Sequence, residues 1–303
     1  MTFVGQPIKR FEDPRLLTGQ GSYVDDLKLP GLLHAVVLRS LHAHANIRSI
    51  DVSAASRVPG VVAVFTAADI QDLAVEIPTR TNTGADEFNP PRHPILASDK
   101  VCYVGQAVAV LIAEDPYTAA DALDQIVVDY EILPALADPY EALKPDAMII
   151  HPDQRSNVSL RTLNGGGDLD GAFAQADHVV RQTYQVQRLA PAPMEPRGLI
   201  ADYDSQADLL TVWDSTQHPH DIREHLVRLL GRTEGGVRVV APDVGGGFGE
   251  KGCLFPEEVV IPYLTILLGR PIKWIENRQE NMLAFHGRGY SVEVEAAAKS
   301  DGT

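Results

Sequence analysis

Several function classes need features that this sequence has little of. Its 303 residues include two cysteines, Cys102 and Cys253, set far apart. That excludes a Cys-rich zinc or iron–sulfur framework on the chain and suits a reducing compartment. The opening "MTFVGQPIKRFEDPR" lacks the apolar core of a secretory signal. The longest apolar run, "VVIPYLTILLG", is too short to cross a bilayer and carries Pro262. Lys+Arg number 26 against Asp+Glu 41, a formal charge of −15 with no basic block, so the surface offers nothing for nucleic acid to bind. The expectation is a cytoplasmic protein without a membrane span, acting on a small molecule.

What is present reads as mixed α/β. The first twenty residues read as an extended arm with turns at Pro14 and Gly19. "LLHAVVLRS" and "GVVAVFTAADI" are β-branched runs of strand length. Residues 78–98, rich in Pro and Asn, read as a long irregular loop. Residues 107–113 predict a buried strand, Asp115 a helix cap with Pro116 at the first helical position, and residues 126–131 a returning strand. Beyond a polar stretch ending in Gly165–Gly167, strands are expected at "HVVRQTYQVQR", "GLIADYD", "LLTVWDS", "GVRVVA" and "PIKWIEN". Helices are expected at 219–231, closed by Gly231, and at 256–268, with Glu257 and Glu258 complementing the positive helix end. The implied organisation is an N-terminal unit over 1–145, a linker over 146–165 and a second unit over 166–303. The final strand, "VEVEAAAKSDGT", shows no pairing partner in the sequence.

The richest motif is "VAPDVGGGFGEKG", residues 240–252, in which Gly245, Gly246, Gly247 and Gly249 surround Phe248. Backbone that bare costs roughly 0.5–1 kcal/mol per glycine relative to alanine in regular structure. It lets main-chain N–H groups converge on a polar ligand. A Walker A loop is excluded, because Glu250 precedes Lys251 and no Ser or Thr follows it. Gly247 to Gly252 matches G-x-G-x-x-G, with Glu276 as a ribose-binding acid, so an NAD(P)-dependent dehydrogenase stays open as an alternative. Against it, Pro242 and Asp243 separate strand from loop, and the helix begins only at Pro256. A glycine corner without ligand also stays open.

"VGGGFGEKG" resembles the GGGFGxK loop of the molybdenum hydroxylases, the family of xanthine dehydrogenase, aldehyde oxidase and the large, molybdopterin-binding subunit of aerobic carbon monoxide dehydrogenase. The likeness extends along the chain in order. "RFEDPRLLTGQGSYVDDL", "LRSLHAHANI", "VGQAVAVLIAED" and "VDYEILPAL" resemble its a/b hammerhead domain. "APMEPRGLIADYD", "WDSTQHPHDIREHLVRLLG" and "RPIKWIENRQENMLAFHGR" resemble the first part of its molybdopterin-binding domain.

The resemblance implies an a/b hammerhead domain followed by an incomplete molybdopterin-binding domain. Gly246, Gly247, Phe248 and Gly249 would lie at a molybdenum–molybdopterin cofactor, in the cytosine dinucleotide form if the source is bacterial. Phe248 would shape the substrate pocket, and Gln217 would donate to an oxygen on the metal without carrying charge. No side-chain metal ligand is implied. The substrate would be an aldehyde, an N-heterocycle or carbon monoxide, with electrons leaving through 2Fe-2S and FAD subunits as partners. The family's catalytic glutamate belongs further along a longer chain, so Glu250 is a departure from the pattern and not the base. Gly252 stands where purine-oxidising relatives carry a glutamate, which argues against xanthine. By itself the chain is expected to be a fragment or split subunit lacking the C-terminal half of the cofactor domain. A truncated, non-catalytic assembly module is a further reading. Glu195 and the set Arg278, Glu280 and Arg288 resemble residues near the family's pocket, although structural ion pairs serve equally well. The His42/His44 and His218/His220 pairs read as holding turns through hydrogen bonds.

Overall fold

A computed structural model describes residues 3–73, 76–78, 86–151, 153–284, 287 and 289–303. Arg288 and residues 79–85 of the expected loop lie outside the described residues. The arm carries a short helix, α1 (Asp13–Leu17), where extended chain was expected; Pro14 sits in its first turn, where a missing N–H costs nothing. Then follow β1 (Leu33–Arg39), β2 (Ala45–Asp51), β3 (Val61–Thr66), β4 (Glu87–Phe88), β5 (Lys100–Val101), β6 (Ala107–Ala113), α2 (Pro116–Leu123), β7 (Val127–Ile132), α3 (Pro139–Ala142) and β8 (Leu160–Arg161). The remainder supplies α4 (Leu169–Ala174), β9 (His178–Val186), β10 (Gly198–Asp204), β11 (Leu209–Asp214), α5 (Pro219–Leu229), β12 (Val237–Val240), α6 (Glu257–Leu268), β13 (Ile272–Ile275), α7 (Arg278–Ala284) and β14 (Tyr290–Ala298).

One seven-stranded sheet, in the order β12-β11-β10-β13-β1-β6-β3, takes strands from both halves of the chain. Its seam is β1 against β13, parallel, with Leu33 opposite Ile272. Every residue of β6 is buried. Val110 and Ile112 join the large core with Leu199, Leu210, Leu226, Ile261 and Leu264, while Ala109, Leu111 and Ala113 pack with Ala119 and Ala122 of α2. A strand covered on both faces needs no polar alternation, as "AVAVLIA" indicates. Asp115 caps α2, accepting from the amides of Tyr117 and Thr118 at 2.9 Å each. The returning strand β7 does not rejoin β6, however; it pairs with β2 in a separate three-stranded sheet.

Two other expectations are corrected. β14 does have a partner: it pairs antiparallel with β9 along its whole length, Tyr290 opposite Val186 and Ala298 opposite His178. Within the 78–98 segment, Glu87–Phe88 pairs with Leu160–Arg161, so that stretch is ordered partly by a strand from residues read as linker.

Candidate active site

The sheet directions bring distant segments to one edge. β11 and β12 run parallel, joined by α5, so the segment after β11 and the glycine loop after β12 emerge side by side. β10 runs antiparallel to β11, with Leu199 opposite Asp214, which puts Glu195 and Arg197 beside that exit. β13 and β1 also end on this side. The edge outside the carboxyl ends of parallel strands is where such sheets bind ligands.

The arm pins the entrance of the loop. Arg15 pairs with Asp243, donating to Oδ1 at 2.6 Å, and the Ser22 amide donates to Asp243 Oδ2 at 2.7 Å. The hydrogen bond to Arg15 is the main cause that brings Asp243 down to about 2. Further on, Gly246 has φ +96°, Phe248 +54° and Gly249 +92°. The left-handed region is open to glycine and costs an aromatic residue strain, and such outliers gather where a ligand is held. Phe248 is 77% exposed.

Two side chains brace this backbone. Glu195 Oε2 accepts from the Gly245 amide at 2.7 Å, and Gln217 Oε1 accepts from the Gly249 amide at 3.0 Å. Space is tight at both: a Cβ on Gly245 would lie 2.5 Å from Glu195 Cβ, and one on Gly247 2.4 Å from Gln217 Oε1. Between the braced ends, no acceptor among the described residues meets the amides of Gly246, Gly247 or Phe248, although Gly247 is buried. Gln217, its oxygen engaged, has no acceptor for Nε2 among the described residues. A buried residue whose amide has no partner, as at Gly247, is rare. The amides of half-buried Gly246 and exposed Phe248 beside it are open to a ligand. The loop therefore fits a polar, electron-rich group that accepts hydrogen bonds, as a molybdopterin cofactor would.

Beneath the loop lies a buried charge cluster. Arg197 pairs with Glu276 at 2.5 Å and Glu257 at 3.2 Å, and its guanidinium lies 3.9 Å from the centre of the Phe255 ring. Arg39 of β1 pairs with Glu257 at 2.7 Å and Glu280 at 2.9 Å. Glu257 lies in the first turn of α6, as its position in the sequence suggested, and the structure adds a second task. It is buried and doubly paired. Burial opposes its charge, but Arg39 and Arg197 outweigh burial and hold it at about 2. Glu258 is buried too, accepts from the Phe255 amide at 2.7 Å, and burial raises its pKa well above the usual range. Glu276 is committed to Arg197, so it is not placed as a ribose-binding acid.

Glu250 points inward: its carboxylate is fully buried, takes a hydrogen bond from Asn281 and lies 3.9 Å from Arg197. Burial raises its pKa, with the neighbouring Glu276 adding to the effect. Arg278 holds the carbonyls of Pro193 and Met194, while Glu280 serves Arg39. His44 Nδ1 lies 2.6 Å from the Pro134 carbonyl, and His218 stands at the N-cap position of α5 without a side-chain cap hydrogen bond, its Nδ1 3.4 Å from Asp221 Oδ2. Among the described residues no group of three or more His, Cys, Asp or Glu is arranged to hold a metal ion. Sequence reasoning left out Lys251 and Ser215. Lys251 is the lysine that closes the GGGFGxK pattern, which by itself assigned it no role.

Known proteins share this architecture. Residues 18–134 match the family "Aldehyde oxidase and xanthine dehydrogenase, a/b hammerhead domain", and residues 150–303 match "Molybdopterin cofactor-binding domain". The nicotine 6-hydroxylase large subunit of Paenarthrobacter nicotinovorans is 41% identical over 301 residues, which are 99% of this chain and 36% of that protein. The carbon monoxide dehydrogenase large chain of Afipia carboxidovorans is 38% identical, over 97% of this chain and 37% of its own length. Among solved structures, quinoline 2-oxidoreductase from Pseudomonas putida 86 superposes with a TM-score of 0.90 at 38% identity, covering 98% of this chain and 38% of that one. The chain thus spans little more than a third of the relatives it matches. Across that span it belongs to the molybdenum-hydroxylase family, carrying the a/b hammerhead domain and a stretch that matches part of the molybdopterin-binding domain of the family's large subunits.

Proposed function

We propose that the chain is the N-terminal portion of the catalytic, molybdopterin-binding subunit of a molybdenum hydroxylase. The observation that carries this reading is the trio of amides at Gly246, Gly247 and Phe248, which have no partner among the described residues and lie at the sheet edge beside Gln217. These groups would hold the cofactor's oxygen and nitrogen acceptors, in the cytosine dinucleotide form if the source is bacterial. When bound, the cofactor supplies two-electron oxidation with water as the oxygen source. Phe248, exposed and fixed by its strained backbone, would bound the substrate pocket. Two relatives are named for nicotine and quinoline, which favours an N-heterocycle as substrate, ahead of an aldehyde or carbon monoxide. The carboxylate base would come from polypeptide corresponding to the rest of the relatives' length. Iron–sulfur and FAD subunits would take the electrons, in the cytoplasm.

The test is native purification of the tagged chain from its own cells, with co-purifying polypeptides identified by mass spectrometry. Molybdenum and pterin near one per chain, with N-heterocycle oxidation, are expected. A complex that oxidises such substrates without molybdenum would overturn the reading.

A further inference from the structure

Lys251 is 1% exposed, in a chain whose acidic residues outnumber its basic ones. Its ammonium donates to Glu195 Oε2 at 3.0 Å and to Ser215 Oγ at 2.7 Å, and Ser215 donates in turn to Glu195 Oε2 at 2.7 Å. That same oxygen receives the Gly245 amide. On the other side, the Lys251 carbonyl accepts from the Gln217 amide at 2.8 Å and from Thr216 Oγ1 at 3.2 Å. Gln217 holds Gly249. Both ends of the glycine loop therefore trace back to one residue, through three chain segments that meet nowhere else in sequence.

We propose that Lys251 is the positioning residue of the loop: its ammonium sets Glu195, and so Gly245, while its anchored carbonyl sets Gln217, and so Gly249. The importance of the brace for cofactor binding rests on the reading above; its existence does not. Net stability is a poor explanation for burying this cation. Replacing a buried ion pair by well-packed apolar groups is often neutral or stabilising. The geometry gains something else. Glu195 offers one oxygen to three donors, and an unpaired carboxylate at this half-buried place would turn toward water and release Gly245. Burial lowers the pKa of Lys251, opposed by Glu195, Glu250 and Asp214, which together surround the ammonium with negative charge.

Amide hydrogen exchange in the chain labelled with ¹⁵N-glycine reads both arms directly, with or without cofactor. Lys251→Met keeps the length of the side chain and removes its charge. It should speed exchange at Gly245 by about tenfold or more and at Gly249 by less, while amides of β10 and β13 stay as in wild type. Adding Glu195→Gln should restore part of the Gly245 protection, because a neutral amide is not drawn into water yet still accepts. A merely structural role predicts that the double variant is worse than either single one. If Lys251→Met does not fold, Glu195→Ala replaces it, and it should free Gly245 while leaving Gly249 protected. Exchange within twofold of wild type at both glycines, in whichever variant folds, overturns the proposal. The cofactor reading would survive that result, since it is tested by metal and pterin content.

Discussion

Arg39, at the end of β1, lies 2.7 Å from Glu257, at the start of α6, and both side chains are buried. The pair ties the hammerhead-matched residues to the cofactor-domain residues at the edge that carries the glycine loop. Glu257 sits at about 2, below its ordinary 4.5, so the unfolded chain binds its proton more tightly than the folded one. Its contribution to stability is complete above the ordinary value and is lost as pH falls through about 2. A shift of that size corresponds to roughly 3 kcal/mol. Asp214 works in the opposite sense. Burial raises it to about 7 against the pull of Arg197 and Lys251, so its contribution is complete below the usual aspartate range and disappears as pH rises through about 7. Urea midpoints should therefore peak between these limits and fall on both sides. A midpoint that stays flat on the acid side contradicts this account of Glu257.

Arg39→Met leaves Glu257 buried with half its compensation. Breaking a buried pair from one side costs about 3–5 kcal/mol. The variant should lose stability by that order, and its acid limb should become shallower, because Glu257 no longer lies as far below its unfolded value. Equilibrium unfolding at two pH values checks both effects.

The sheet strands β1, β6 and β10 to β13 were legible because each is a short apolar run between turn residues. α5 was legible because Pro219 and Gly231 punctuate it. The pairing of β9 with β14 was not legible, since no hairpin joins them and a non-local ladder leaves no local mark. The burial and double pairing of Glu257 were not legible for a related reason. First-turn acids usually complement the helix dipole, and the arginines that bury this one lie far away in sequence. Gln217 and Gly246 to Gly249 could be named from a motif resemblance. Glu195 was named by the same resemblance, but the ion pair that joins it to Lys251 was not legible, because such pairing depends on which strands lie side by side.

Gln217 has two functions that two substitutions separate. Gln217→Ala removes the acceptor for Gly249 as well as the Nε2 donor. In the native complex it should lower turnover by about 10²–10³ and speed exchange at Gly249. Gln217→Glu keeps the acceptor and loses the donor, so it should lower turnover with Gly249 still protected. Equal loss of protection in both variants would mean that the Oε1 contact does not hold the loop.

Phe248 combines exposure with φ +54°. Phe248→Gly should leave thermal stability unchanged or slightly raised, because relief of strain of about 1–3 kcal/mol offsets the greater freedom of the unfolded glycine. Substrate preference should shift toward bulkier rings. Unchanged relative kcat/KM across a series of heterocycles would remove Phe248 from the pocket wall.

The boundary between the two units is proposed between residues 140 and 165. Limited proteolysis should cut first there or within 78–98, and a first cut inside the buried β6 or its neighbour α2 would contradict the division.

The most direct measurement is the molybdenum and pterin content of the native complex carrying Gly247→Val. Even a Cβ at this position would lie 2.4 Å from Gln217 Oε1, and a β-branched side chain also fills the space in front of the unpartnered amides. The account predicts a folded chain, judged by a cooperative urea transition, that has lost most of its molybdenum and pterin. Full cofactor content in that variant would contradict the placement of the cofactor at this loop.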